Sequence, residues 1–227
     1  MRTVLFTGLL GSGKSTALLS LAFFLKRKGG PKSVAAVETE SGEKAVASEL
    51  AADKGYLTTD LTRGCIGCTS LTSGLCNTLE NLLHSCPPPS WLLIEASSLG
   101  FQTIKDTVIQ SLANEAQPFT VLMIEAGGWA ELHQEAPLLA DGLAAGADLV
   151  LVNIFDHLSP DTISAIEAQV SRVNPACPVK AARAPDLDPA DAFRNFLEAG
   201  PEIGAGPACQ AARGTADERA SVPPAMA

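Results

Sequence analysis

The stretch GLLGSGKST, residues 8–16, constrains the fold of this chain more than any other segment of its 227 residues. It follows a short apolar run, Thr3–Thr7, that is typical of a buried strand, and it opens a predicted helix. Between strand and helix it satisfies the pattern G-x-x-x-x-G-K-[ST] from Gly8 to Ser15. Glycines there let backbone N–H groups close around phosphate oxygens, and the helix N-terminus adds its dipole. The sequence therefore predicts a phosphate-binding loop in preference to a chance glycine-rich turn.

The side chains of this loop have distinct predicted roles. Lys14 is expected to reach the β- and γ-phosphates of a nucleotide and to be catalytic, and the Ser15 hydroxyl is expected to ligate Mg²⁺. The ligand that the sequence predicts is therefore a nucleotide with Mg²⁺. The loop residues predicted to bind it are Gly8, Gly11, Ser12, Gly13, Lys14, Ser15 and Thr16.

Short apolar runs alternate with amphipathic segments along the chain, which predicts a three-layer α/β fold of the P-loop NTPase type with a mostly parallel central sheet. The predicted strands are Thr3–Thr7, Ser33–Val37, Trp91–Glu95, Thr120–Glu125, Asp148–Asn153 and Val179–Ala181. The predicted helices are Lys14–Lys28, Gly42–Lys54, Leu71–Ser85, Thr103–Asn114, Gln134–Ala145, Pro160–Val173 and Ala190–Glu198. We expect one nucleotide-binding domain over residues 1–200 and a flexible tail, rich in Ala, Gly and Pro, over residues 201–227.

The charge and hydropathy of the chain exclude several classes of partner. Its net charge is −9 and its isoelectric point is about 4.8, so we expect no binding to a nucleic-acid backbone. No apolar stretch is long enough to span a membrane, and the apolar start MRTVLFTG is too short for a secretory signal. We therefore expect a cytoplasmic protein whose six cysteines are reduced.

Three glutamates follow the ends of predicted strands, at the edge where open α/β sheets bind their ligands. Glu38 and Glu40 come directly after the second predicted strand, and Glu95 ends the third. A phosphate-binding loop needs carboxylates for its metal ion and for the attacking water. We therefore assign catalytic roles to Glu38 and Glu95 and a metal-binding role to Glu40. The alternative is that all three are ordinary solvated carboxylates.

A pair of thiols, Cys65 and Cys68, lies beside glycines in the stretch RGCIGCTS. Two thiolates at C-x-x-C spacing can hold one side of a soft metal ion such as Zn²⁺. A second copy of the chain could supply the other two ligands across a symmetric dimer. A redox-active pair and a pair without a function are the alternatives.

Five segments, taken in order, resemble the CobW/HypB/UreG family of P-loop GTPases, the nucleotide-dependent metallochaperones. The family's G-x-L-G-x-G-K-[ST]-T loop corresponds to residues 8–16, and its G-C-x-C-C motif corresponds to GCIGC at residues 64–68. The remaining segments are ETESGE after the second predicted strand, EASS at Glu95–Ser98 and NIFD at Asn153–Asp156. The resemblance extends over about residues 3–183.

The resemblance implies a protein that binds and hydrolyses GTP and assists the insertion of a metal or metallocofactor into a client. Asp156 would bind the N1 and the exocyclic amine of guanine, and Asn153 would support its loop. The metal at the Cys65/Cys68 pair would be Zn²⁺, Ni²⁺ or Co²⁺. The partners would be a client metalloenzyme or cofactor-carrying protein and, in a homodimer, a second copy of the chain. Hydrolysis is expected to be slow because the sequence shows no arginine finger.

Three positions depart from the family pattern. Gly67 replaces the middle cysteine, Ser98 replaces a glycine, and Ile154 replaces the lysine whose stem covers one face of the base. Isoleucine keeps the apolar contact but supplies no cation, so the preference for GTP over ATP depends on the rest of the motif. NIFD could instead be a strand end followed by a helix-capping aspartate.

Two other functions are compatible with a phosphate-binding loop. One is a small-molecule kinase, although the sequence shows no arginine-rich lid segment. The other is a non-catalytic, nucleotide-sensing partner of a larger enzyme, in which Ile154 and Ser98 would mark lost catalysis.

Overall fold

A computed structural model describes residues 1–29, 33–39, 57–60, 69–85, 88–112, 117–154 and 158–198, with the backbone alone described at 57–60 and 69–71. Within these residues a central sheet of seven strands has the order β3-β2-β4-β1-β5-β6-β7, and every strand pairs in parallel with its neighbours. The strands are β1 (Arg2–Gly8), β2 (Val34–Glu38), β3 (Leu57–Asp60), β4 (Trp91–Glu95), β5 (Phe119–Glu125), β6 (Leu149–Asn153) and β7 (Val179–Ala182). The predicted parallel sheet is therefore confirmed, with β1 at its centre.

Helices connect these strands. They are α1 (Lys14–Gly29), α2 (Thr69–Leu83), α3 (Phe101–Ser111), α4 (Ala126–Glu135), α5 (Pro137–Ala145), α6 (Pro160–Val173), α7 (Pro189–Ala192) and α8 (Arg194–Glu198), with a 3₁₀ turn at Ala184–Asp186. Helix α6 begins as the sequence predicts: the Ser159 hydroxyl accepts a hydrogen bond of 3.2 Å from the Thr162 N–H, and Pro160 occupies the first turn.

Each face of the sheet packs against its own apolar core, which gives the three layers. On one face the strands contact α1, and the fully buried residues there include Val4, Phe6, Leu18, Leu21, Leu93 and Phe193. On the other face they contact α2–α6, and the fully buried residues include Leu5, Leu75, Leu79, Leu92, Val108 and Val150. Burial of each such side chain stabilises the fold by about 1.5–3 kcal/mol. Strands covered on both faces explain the continuous apolar runs of the sequence.

The predicted helix Gln134–Ala145 is wrong. The structure has two helices there, α4 and α5, which are separated at Ala136, whose φ of −141° and ψ of 63° are not helical. The break has a local cause, because Pro137 disfavours the helical conformation of the residue before it. Helix α4 also begins eight residues earlier than predicted, at Ala126. Two glycines in its first turn, Gly127 and Gly128, lowered its helical propensity in the sequence.

Two further elements differ from the sequence prediction. Strand β3, with the sequence LTTD, was not predicted, because four residues with one apolar side chain give no clear alternation. The predicted helix Ala190–Glu198 is two short helices, α7 and α8, with Phe193 between them. The predicted helix Gly42–Lys54 and the predicted tail, residues 201–227, lie outside the described residues.

Helix α8 closes the amino edge of the sheet through an aromatic cluster around Phe196. The Phe196 ring stacks on Phe119 with a centroid distance of 4.3 Å and meets Trp91 edge-on at 5.8 Å. The Arg2 guanidinium lies 4.4 Å from the ring centroids of both Trp91 and Phe196, and it donates hydrogen bonds to the carbonyls of Phe196 and Leu197. The cluster therefore joins the starts of β1, β4 and β5 at the edge opposite the phosphate loop.

We predict that Phe196→Ala lowers the free energy of unfolding by about 2 kcal/mol, because it removes a half-buried ring and two aromatic contacts. In a chain of this size that loss should lower the melting temperature by roughly 4–8 °C in calorimetry. Leu138→Ala is the control, since Leu138 is 87% exposed and its truncation should change the melting temperature by little. Equal shifts in the two variants would show that the cluster does not anchor α8.

Candidate functional site

The loop between β1 and α1 lies at the carboxyl edge of the sheet, in its centre. Its conformation requires glycine at two positions. Gly8 has a φ of 141°, and a Cβ there would lie 2.2 Å from the Met123 carbonyl oxygen. Gly13 has a φ of 95°, and a Cβ there would lie 2.4 Å from the Asn153 amide nitrogen. The glycines of the pattern are therefore explained by backbone conformation and close packing.

Lys14 folds back over this loop. Its side chain is 3% exposed, and its Nζ donates hydrogen bonds to the carbonyls of Gly8 at 3.1 Å and Leu9 at 3.0 Å. Ser12 is fully buried beside it, and among the described residues its hydroxyl has no hydrogen-bond partner. A buried ammonium and a buried hydroxyl at a helix N-terminus form a polar cradle that fits the phosphates of a nucleotide.

The structure places two of the predicted acidic residues at the sheet edge where this loop lies, and one of them contacts it. The Ser15 hydroxyl, in the first turn of α1, donates a hydrogen bond of 3.0 Å to Glu95 Oε1. Glu38 is level with Glu95 on the neighbouring strand, and the two side chains are 4% and 6% exposed. A hydroxyl and a carboxylate in contact are oxygen ligands of the type that Mg²⁺ prefers, so the residues present fit the predicted ion.

Thr39 joins the end of β2 to the end of β4. Its hydroxyl and its N–H both donate to the Glu95 carbonyl oxygen, at 2.8 and 3.1 Å. In the strand register, Asp60 at the end of β3 is level with Glu38, which is level with Glu95. Three neighbouring strands therefore end in an acidic residue at the same level of the sheet. Sequence analysis missed Asp60 because it missed β3, and it missed Thr39 because a threonine after a strand has no distinctive pattern.

Asn153, at the end of β6, is hydrogen-bonded to the phosphate loop. It is 3% exposed, and its amide nitrogen donates a hydrogen bond of 3.1 Å to the Ser12 carbonyl. Its amide oxygen accepts a hydrogen bond of 2.8 Å from the Ala184 N–H, in the turn after β7. One side chain therefore ties together the loops that follow β1, β6 and β7.

Glu125 is a third residue that sequence analysis missed. Its carboxylate caps α4 by accepting hydrogen bonds from the N–H groups of Gly127 at 2.8 Å and Gly128 at 2.7 Å. A Cβ on Gly128 would lie 3.2 Å from a methyl group of Leu9, so the cap packs against the phosphate loop. The signal that could have identified it is an acidic residue at the N-cap position, two residues before a pair of glycines at a helix start.

Gly11, with a φ of 78°, and Thr16, in the first turn of α1, lie in the phosphate loop segment as predicted. Four predicted site residues lie outside the described residues: Glu40, Cys65, Cys68 and Asp156. Within the described part of the chain, no group of three or more His, Cys, Asp or Glu side chains is placed to hold a metal ion. Cys177 is described and is not suited to that role, because burial and the charge of Asp148 raise the pKa of its thiol to about 11. No helix among the described residues is long and apolar enough to cross a bilayer.

The geometry of the phosphate loop and its neighbours defines a class of protein. A glycine-rich loop follows the central strand of a parallel sheet, its lysine is buried against the loop, and its serine contacts a carboxylate from the adjacent strand. This arrangement is the nucleotide site of the P-loop NTPase fold.

Comparisons with known proteins agree with that class. The family model of the CobW/HypB/UreG nucleotide-binding domain matches residues 2–180. The chain is 37% identical to the zinc chaperone YeiR of Escherichia coli (strain K12) over 102 residues, which are 44% of this chain and 29% of that protein.

Two solved structures have a similar fold. HypB from Helicobacter pylori in complex with nickel has a TM-score of 0.51 at 17% identity, with 86% of each chain covered. Zn(II)-bound YjiA GTPase from E. coli has a TM-score of 0.56 at 20% identity, with 85% of this chain and 62% of that chain covered. These two likenesses show the fold.

The chain belongs to the CobW/HypB/UreG family, and the part that matches is the family's nucleotide-binding domain. The resemblance drawn from the five segments and the predicted fold class are therefore both confirmed. The chain matches less than a third of the length of YeiR, the curated relative described above.

We predict that Lys14→Ala abolishes nucleotide binding and leaves the fold intact, because the Lys14 ammonium hydrogen-bonds to the carbonyls of Gly8 and Leu9 in the loop and the residue belongs to neither apolar core. GTP-Mg²⁺ at about 100 times its Kd should stabilise the unmodified protein by roughly 2.7 kcal/mol and the variant by little. Lys105→Ala is the matched control. Lys105 also donates a hydrogen bond to a backbone carbonyl, that of Gly146, but it lies on α3 and not at the phosphate loop. Equal thermal shifts for the Lys14 variant and the unmodified protein would contradict the assignment.

Proposed function

We propose that this protein binds GTP, hydrolyses it slowly, and assists the insertion of a metal or metallocofactor into a client enzyme. The observation that supports it most directly is the hydrogen bond between Ser15 and Glu95 at the mouth of the phosphate loop. It joins the loop hydroxyl that would ligate Mg²⁺ to a buried carboxylate on the neighbouring strand that would orient the attacking water. Family membership supports the nucleotide, and the metal-linked names of the relatives support the cargo.

The residues of the loop have separate roles in this proposal. Lys14 would exchange its contacts with two loop carbonyls for the β- and γ-phosphates, and Ser15 and Glu40 would ligate Mg²⁺. Glu38 and Glu95 would orient the attacking water, since both carboxylates are buried at the edge beside the loop. Bound Mg²⁺ would neutralise the charge that develops on the phosphates.

Slow hydrolysis follows from the electrostatics of the site. An arginine directed at the transferring phosphoryl group typically raises kcat by a factor of about 10³–10⁵. Among the arginines of the described part of the chain, Arg2, Arg172, Arg183 and Arg194 contact groups other than the phosphate loop, and Arg27 lies in the last turn of α1, at the end opposite the loop. A slow cycle suits a switch, in which the nucleotide state sets the conformation of neighbouring loops.

Asp156 would read the base in this proposal, and we predict that GTP is preferred over ATP. A carboxylate can accept hydrogen bonds from the N1–H and the exocyclic amine of guanine, whereas adenine offers no matching pair of donors. Asp156→Asn should reduce the preference, measured as the ratio of the two Kd values in competition with a labelled GTP analogue. Asp161→Asn, at the exposed start of α6, is the control and should leave the ratio unchanged. ATP that competes as well as GTP with the unmodified protein would refute the guanine assignment.

The thiol pair is the proposed cargo site. Cys65 and Cys68 would hold a Zn²⁺, Ni²⁺ or Co²⁺ ion, and a symmetric dimer would complete four thiolate ligands. Thiolates must stay reduced for this role, which places the proposed function in the cytoplasm. The nucleotide would act on the pair through the segment that begins at Thr39, since Thr39 is hydrogen-bonded to Glu95.

We predict that the chain binds a thiophilic divalent metal through Cys65 and Cys68, with about one ion per two chains, because two thiolates fill half of a tetrahedral ion. GTP-Mg²⁺ should change the metal affinity, and the metal should change the GTP affinity by the same factor. Binding should weaken as pH falls, because ligation requires deprotonated thiols. The measurement is metal titration with and without GTP-Mg²⁺, using the unmodified protein and the Cys65→Ser/Cys68→Ser double variant.

Cys76→Ser is the control for this titration, since Cys76 is a half-buried helix residue that accepts a hydrogen bond from Ser111. It should bind metal as the unmodified protein does. Unchanged binding by the double variant would remove the thiol pair from the site. Binding that GTP leaves unaltered would keep the ligands and contradict the switch.

A further inference from the structure

Ile154 leaves the base-binding edge of this chain without the cation that the motif ordinarily supplies there. It follows β6, and its N–H donates a hydrogen bond of 3.1 Å to the Ala182 carbonyl at the end of β7. Asn153 is paired with Ala182, so the residues that follow them, Ile154 and Arg183, are level with each other. The Ala184 N–H, on the other side of Arg183, is bound to Asn153 at 2.8 Å. Two hydrogen bonds thus hold the backbone of Arg183 beside Ile154.

The Arg183 side chain is presented to solvent at this edge. It is 63% exposed, and its Nε lies 3.7 Å from Oδ2 of Asp186. The Asp186 side chain is 70% exposed, so the two form an ion pair at the surface. Pairs of this kind contribute little to stability, so the guanidinium is available to a ligand. Arg183 precedes the 3₁₀ turn that follows β7, and the chain there buries Ala184 while the Arg183 side chain stays exposed.

The position of β7 decides which part of a nucleotide this guanidinium can meet. Strands β6 and β7 lie two and three places from β1, which at about 4.8 Å per strand puts them about 10 and 14 Å from the phosphate loop. A nucleotide whose phosphates occupy the loop after β1 reaches β6 and β7 with its base. Direct contact between Arg183 and the phosphates would need the side chain to extend back across two strands.

We propose that Arg183 supplies the cation that Ile154 lacks and stacks its planar guanidinium on the purine base. The inference rests on the proposed function, since it needs a nucleotide in the loop. Guanidinium planes stack on aromatic faces and are attracted by the ring electrons. Ile154 then provides apolar contact beside it, so two strands share the role of one lysine. Stacking does not distinguish guanine from adenine, which leaves that selection to Asp156.

The experiment is isothermal titration of GTP, ATP and inorganic tripolyphosphate, each with Mg²⁺, into the unmodified protein and Arg183→Ala. The variant should bind GTP and ATP about three- to tenfold more weakly, by the same factor for both. Its affinity for tripolyphosphate should not change, because that ligand has no base. Arg194→Ala is the matched control: Arg194 is 61% exposed and is likewise paired with an aspartate three residues away. It should bind all three ligands as the unmodified protein does.

A second variant tests the exchange between strands. Adding Ile154→Lys to Arg183→Ala should restore most of the lost affinity for GTP, because it returns the cation to its usual strand. Unchanged GTP affinity in Arg183→Ala would overturn the proposal, and so would an equal loss for tripolyphosphate, which would make Arg183 a phosphate contact. The proposal would also be overturned, with the phosphate site left intact, if the unmodified protein bound tripolyphosphate as tightly as it binds GTP and ATP. Failure to bind any of the three would overturn the proposed function as well.

Discussion

A buried asparagine amide holds the phosphate loop in place relative to the rest of the sheet. Both polar atoms of Asn153 are used, the nitrogen on the Ser12 carbonyl and the oxygen on the Ala184 N–H. A buried amide that is fully hydrogen-bonded specifies one arrangement, whereas an unsatisfied partner left behind would cost about 1–3 kcal/mol. Gly13 has no room for a Cβ against this amide, so loop conformation and amide position depend on each other. The phosphate loop and the turn after β7 are joined through this one side chain.

The order of the strands places the acidic residues Glu38 and Glu95 at one level of the sheet edge. Because β4 pairs with β1, Glu95 is level with Phe6 and lies within reach of Ser15 after the loop. Because β2 pairs with β4, Glu38 is level with Glu95. Residues far apart in the chain therefore meet at one edge without any local contact between their segments. The apolar cores on both faces maintain this register, since a one-residue slip would turn every buried side chain towards the opposite face.

Sequence patterns predicted those parts of the molecule whose signals are local. The phosphate loop, the five-residue strand Trp91–Glu95 and the cap of α6 at Ser159 each depend on neighbours in sequence, and the structure confirms them. Strand β3 depends instead on its pairing with β2, and its four residues contain no pattern of their own. The place of Arg183 beside Ile154 depends on the register of β6 and β7, which no single segment specifies. What the sequence could not show is pairing between strands.

The same logic explains why a thiol segment between β3 and α2 can respond to a nucleotide in the proposed function. The chain leaves β2 at Thr39, whose hydroxyl and N–H both donate to the Glu95 carbonyl, while the Glu95 carboxylate accepts from Ser15. A nucleotide that draws Ser15 onto its Mg²⁺ would change the partner of that carboxylate, and any shift of Glu95 would be transmitted to Thr39 through short hydrogen bonds. Coupling between two sites is typically worth about 1–3 kcal/mol, or about 5- to 150-fold in affinity. Glu95 is the residue on which this proposed link depends, because its carboxylate accepts from Ser15 in the phosphate loop and its carbonyl accepts from Thr39, where the chain leaves β2.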